Sequence, residues 1–138
     1  MLLEKVREYY LEKDYNCAET VLLAANDAYG LGLPADAVRL VSGYGGGFGA
    51  KKTCGALCGA MAVLSVMCVG EKAHATEGFG PLCGVFYAAV TERLGTECCE
   101  TLQGMYRTEE NRCLRTVELV AQELEAYLVK LGKIPARS

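Results

Sequence analysis

The chain has 138 residues, 51% of them apolar and 22% charged, with a formal net charge of −3. That describes one globular domain able to build its own core. It excludes a disordered chain and the basic field that binds nucleic acid or anionic membranes. Eight cysteines are the outlier. Met1 leads into Leu2, Leu3 and Glu4 with no signal-peptide pattern, so the expected compartment is the cytoplasm. There, surplus cysteine means metal, redox chemistry or small buried hydrophobes.

The periodicities are helical throughout. Leu2, Leu3, Val6, Tyr9 and Tyr10 predict a first amphipathic helix. A second runs from Asn16, a good N-cap with Glu19 at the capping-box position, to Tyr29 and stops at Gly30. Pro34 opens a short helix through Val41. The run Gly43 to Gly49 is too glycine-rich to be helical. Thr53 to Gly70 has no charge and reads as a central core helix, with Gly55 and Gly59 spaced to let a neighbour approach closely. It touches the lower limit of membrane-spanning length, but no direct membrane insertion is expected. Pro81 suits the first turn of another helix. A short helix follows Thr96 and ends near Gly104. The last starts near Thr108 or Asn111, carries Cys113, Val117, Val120, Leu124 and Leu128, and ends at Gly132. The expected fold is all-α: a compact single domain over 1–138, with about six to seven helices around an apolar central one.

On these helices Cys17, Cys54, Cys99 and Cys113 fall in four different first turns. Unpaired N–H groups and the positive end of the dipole there favour thiolate, the form that binds metal and attacks disulfides. Four such termini facing one another would make a pocket for a cluster or a dithiol pair. Cys58 lies one turn after Cys54, placed to resolve a mixed disulfide or add a ligand. Cys68 and Cys83 read as core thiols, and Cys98 points away from its neighbour Cys99. No C-x-x-C occurs, so zinc-ribbon, thioredoxin-type and haem-attachment motifs are absent. His74 reads as a loop residue. Gly43 to Lys52 superficially suggests a phosphate loop, but the required glycine–lysine spacing is missing. Its glycines instead bring backbone N–H groups beside Cys54.

Three segments together resemble the C_GCAxxG_C_C family, described as redox-active proteins. They are Asn16-Cys17-Ala18-Glu19-Thr20-Val21-Leu22, the glycine run before Cys54-Gly55-Ala56-Leu57-Cys58-Gly59, and the separated Cys99 and Cys113. The resemblance implies redox activity centred on Cys17, Cys54, Cys99 and Cys113, with Cys98 competing with Cys99 for the third place. A similar domain in split-Soret cytochromes c is associated with an iron–sulfur centre. Family genes often neighbour transporter genes, which implies a membrane transporter as partner beside an unidentified redox partner.

The leading expectation is therefore an iron–sulfur or other metal centre held by Cys17, Cys54, Cys99 and Cys113, with Gly46, Gly47, Gly49 and Gly55 against it, for electron transfer or sensing. The alternative is a dithiol–disulfide protein without any cofactor, in which Cys54 attacks and Cys17 or Cys58 resolves. A third reading is a helical interaction module. A glycine-lined face also suits a homodimer.

Overall fold

Helix capping explains the architecture first. In the computed structural model, which describes residues 1–136, seven α-helices form an all-α bundle: α1 (Leu2–Arg7), α2 (Cys17–Tyr29), α3 (Ala35–Arg39), α4 (Gly55–Cys68), α5 (Phe79–Leu94), α6 (Cys99–Tyr106) and α7 (Leu114–Lys130). The last two residues of the expected domain, 137–138, lie outside the described residues. A π-type turn, Glu8–Glu12, continues α1. No β-sheet occurs among the described residues, only isolated antiparallel bridges.

The Asn16 capping box is present in full. Asn16 Oδ1 accepts from the Glu19 N–H at 2.9 Å, and Glu19 Oε1 accepts from the Asn16 N–H at 3.0 Å. The same two side chains reach further. Asn16 Nδ2 donates to the Ser42 carbonyl at 2.9 Å, and Ser42 Oγ donates to Glu19 Oε2 at 2.6 Å. The start of α2 is thereby tied to the start of the glycine loop. Gly30 closes α2 in the left-handed conformation, as glycine allows without a Cβ clash.

The apolar face of α7 repeats at three- and four-residue steps through Leu114, Val117, Val120, Ala121, Leu124 and Leu128, all buried. It packs against α1, α4 and α5. The α4 helix is buried through Ala56, Leu57, Ala60, Val63 and Leu64 and packs most closely on α2. Gly55 and Gly59 make that approach possible. A Cβ at Gly59 would lie 2.6 Å from the Ala18 carbonyl oxygen and 3.0 Å from its Cα. The expected central core helix is not covered on every side: Met61, Ala62, Ser65 and Val66 line an open groove and Val66 is 42% exposed. No helix among the described residues is long and apolar enough to cross a membrane.

Candidate functional site

Four devices bring separate segments to one cavity. The first is the glycine loop. Gly46, Gly47, Phe48 and Gly49 all have φ between 62° and 68°, so this stretch makes a left-handed turn. Each non-glycine residue in that conformation costs about 1–2 kcal/mol, which accounts for three glycines in four positions. The turn carries Gly46 to the cavity wall, where its N–H faces the Cys17 sulfur. Gly47 packs on the Cys99 side chain, with no room for a Cβ between Cys99 and the Lys52 backbone. Gly49 faces open space.

The second device is an antiparallel bridge between Thr53 and Cys98. The Cys54 N–H donates to the Glu97 carbonyl at 2.7 Å, and the Cys99 N–H donates to the Lys52 carbonyl at 2.6 Å. Side chains alternate across an extended segment. Cys54 and Cys99 therefore share one side of the bridge, with Thr53 and Cys98 on the other. Cys99, not Cys98, lines the cavity.

The third device is the turn before α7. The Thr108 N–H donates to the Arg112 carbonyl at 3.0 Å, and the Arg112 N–H donates to the Thr108 carbonyl at 2.8 Å. Arg112 stands over the Tyr10 ring, 4.5 Å from its centroid, and donates to Asp14 Oδ1 at 2.8 Å. The Cys113 N–H donates to the Tyr10 hydroxyl at 3.0 Å. These contacts hold Cys113 at the cap of α7. The expectation that Cys113 lies within the last helix is corrected accordingly: Arg112 has a φ of 53°, which no α-helix accommodates.

The fourth is the close contact of α2 with α4. A Cβ at Gly55 would lie 2.5 Å from Cys17 Sγ and 2.6 Å from the Tyr44 carbonyl oxygen. The result is a cavity of about 290 Å³ whose lining includes Cys17, Cys54, Cys99 and Cys113. Cys17 and Cys99 are the first residues of α2 and α6, while Cys54 and Cys113 are cap residues of α4 and α7. All eight cysteines are free thiols. Cys68 and Cys83 lie elsewhere, near Tyr127, and His74 is exposed in a loop turn.

The electrostatics depart from the helix-start argument. Burial pushes the Cys54 thiol up to about 12, although the N–H groups of Leu57 and Ala56 act against it and the nearby Cys17 and Cys99 add to it. Burial likewise raises Cys17 and Cys99. The cysteine that is lowered is Cys98, half-buried, through the N–H and hydroxyl of Thr101. Helix-start N–H groups favour a thiolate, but desolvation outweighs them once the sulfur leaves water. Two side chains not singled out from the sequence touch sulfurs directly. Arg107 Nη1 donates to Cys113 Sγ at 3.2 Å, and Gln103 Nε2 donates to Cys99 Sγ at 3.5 Å. Gln103 stands four residues after Cys99 on α6, a spacing that could have flagged it. Arg107 lies beyond the end of α6, and nothing in its sequence context signals the contact.

The model of the family described as "Putative redox-active protein (C_GCAxxG_C_C)" matches residues 15–127. The chain belongs to this family. No curated protein and no solved structure matches the chain. The C_GCAxxG_C_C match carries a redox association and no relationship to a particular cytochrome c. Cys17, Cys54, Cys99 and Cys113, the set expected from the resemblance, are among the residues lining the cavity.

That set does not fit a metal. Among the described residues, no three His, Cys, Asp or Glu side chains are grouped so that they could hold a metal ion. The expectation of an iron–sulfur or other metal centre on Cys17, Cys54, Cys99 and Cys113 is therefore overturned. The Cys113 sulfur already faces the Arg107 guanidinium at 3.2 Å, and that cation repels a metal ion from the same atom. Gly47 and Gly55, expected against a cofactor, instead leave space for the Cys99 and Cys17 side chains, and the Gly46 N–H faces the Cys17 sulfur.

One prediction follows from burial. Because the folded protein holds Cys54 protonated to about pH 12 and the unfolded chain ionises near 9, the unfolded state binds fewer protons between those values. Stability is then lost as pH rises from 9 toward 12. Denaturant melts across that range should show this loss, and Cys54→Ala should flatten it. In native protein at neutral pH, iodoacetamide should label Cys98 well before the buried Cys54.

Proposed function

We propose that the chain is a metal-free thiol–disulfide exchange protein whose working pair is Cys113 and Cys17. The observation that carries this reading is the Arg107 guanidinium, 3.2 Å from Cys113 Sγ, at the wall of a cavity that Cys17 also lines. A guanidinium at hydrogen-bond distance orients that sulfur and accommodates the negative charge that passes between sulfurs during exchange. On this reading the attack starts at Cys113 rather than at Cys54, the position favoured by its helix start.

The chemistry runs in two steps. The Cys113 thiolate attacks one sulfur of a small disulfide, forming a mixed disulfide and releasing the other half as a thiolate. Cys17 then loses its proton to solvent and attacks the Cys113 sulfur of the mixed disulfide, expelling the second half. Two protein thiols are oxidised to one disulfide, and the incoming disulfide is reduced to two thiols. The Gly46 N–H favours negative charge on Cys17 during the second step. Tyr10, raised to about 12 chiefly by burial, stays a neutral phenol and holds the Cys113 backbone.

The test is brief exposure of reduced, chelator-treated protein to a small disulfide, followed by acid quenching and peptide mapping. The first intramolecular disulfide should join Cys17 to Cys113, and dithiothreitol should reverse it. A first disulfide elsewhere would contradict the proposal. Arg107→Gln should slow the first step by about 10- to 100-fold, the worth of a hydrogen bond to a charged group, and Arg107→Lys should restore part of the rate.

A further inference from the structure

A second cavity, of about 390 Å³, lies along the same α2–α4 pair. Its lining residues include Leu22, Leu33, Val41, Tyr44, Met61 and Cys58. None of the residues lining it is charged, whereas the first cavity has Asp14, Arg107 and Arg112 in its wall. The two cavities share no lining residue, but Gly55 of the first lies against Tyr44 of the second. A Cβ on that glycine would meet both Cys17 Sγ, in the first cavity, and the backbone of Tyr44, in the second. Cys58 follows Gly55 by three residues on α4, the spacing at which helical side chains are neighbours. It is half-buried and free.

From this placement we propose that Cys58 is a second exchange thiol: a disulfide formed at Cys17–Cys113 passes to Cys17–Cys58, and is then reduced from the groove by an uncharged thiol with apolar substituents. The inference rests on the dithiol reading of the first cavity. Cys58 loses its proton to solvent and attacks Cys17 Sγ. The Cys17–Cys58 bond forms, the Cys17–Cys113 bond breaks, and the electron pair leaves on Cys113 Sγ beside Arg107. A thiol in the groove then attacks Cys58 and frees Cys17, and a second equivalent attacks the sulfur of the thiol now bound to Cys58, forming the external disulfide and releasing Cys58 as a thiolate. The oxidising equivalent has moved from a charged cavity to an apolar one. Burial, and secondarily Cys17, raise the Cys58 thiol, which slows its direct reaction with external disulfides and leaves the first step to Cys113.

The experiment follows disulfides in time. Reduced protein is oxidised with one equivalent of a small charged disulfide, quenched at intervals, alkylated and mapped. Wild type should show Cys17–Cys113 first and Cys17–Cys58 later, while Cys58→Ser and Cys58→Ala should stop at Cys17–Cys113. The oxidised proteins are then reduced with benzyl mercaptan or with mercaptoethanesulfonate. The rate ratio of the apolar to the charged thiol should be several-fold higher in wild type than in the Cys58 variants. If Cys17–Cys113 forms but Cys58 remains alkylatable throughout, or the rate ratios are equal, the transfer is refuted while the first reading stands. If no disulfide containing Cys17 forms, the first reading itself fails.

Discussion

Cys17→Ser protein is expected to accumulate a mixed disulfide on Cys113 and to stop there. The Arg107-paired sulfur can still accept the first half of a small disulfide, but the serine hydroxyl cannot displace the second half. Turnover should fall to the uncatalysed level, because the resolving step has lost its nucleophile. Intact mass should show one added half-disulfide per chain, and mapping should place it on Cys113. Cys113→Ser should fall as far in turnover yet carry no rapid adduct at that site. The contrast separates attack from resolution, which a rate measurement alone does not. Retained turnover in Cys17→Ser would remove Cys17 from the mechanism.

Gly55→Ala should produce a large loss of stability for a change of one methyl group. In most helix interiors this change gains about 0.5–1 kcal/mol through reduced backbone freedom. Here the new Cβ meets Cys17 Sγ at 2.5 Å, the Tyr44 carbonyl oxygen at 2.6 Å and Gly45 Cα at 3.1 Å. Two of the three neighbours are backbone, in a loop tied down by Asn16, so relief requires parting α2 and the glycine loop from α4. A cost of about 3 kcal/mol is expected, the upper end for overpacking. For a domain of this size, that lowers Tm by about 10 °C. Thermal and denaturant melts measure it directly, and a rise in stability would show that the contact is not tight.

Much of this was legible in the chain itself. Asn16 with Glu19 and the stop at Gly30 announced α2, and the Gly55–Gly59 spacing announced its close packing on α4. The grouping of Cys17, Cys54, Cys99 and Cys113 followed from helix starts and from resemblance. Other features depend on tertiary structure. Glycine content at 46–49 signals irregular backbone but not that the turn is left-handed. The choice of Cys99 over Cys98 is made by the bridge from Thr53, which pairs segments 45 residues apart in sequence. The thiolate argument failed at Cys54, and the lowered thiol is Cys98, which it did not include, because a helix start fixes nearby N–H groups but not how much solvent survives around them. The metal expectation failed with it: cysteine count and spacing do not specify where sulfurs point or what else holds them, and Arg107 holds one.

A redox titration of chelator-treated protein, with thiols trapped by alkylation at each potential and identified by peptide mass, tests the central claim most directly. Cys17 should pass from alkylatable to disulfide-bonded in one reversible two-electron transition, while Cys54 and Cys99 remain thiols throughout. A Cys17 that stays alkylatable under oxidising conditions, or a disulfide between Cys54 and Cys99, would contradict the account.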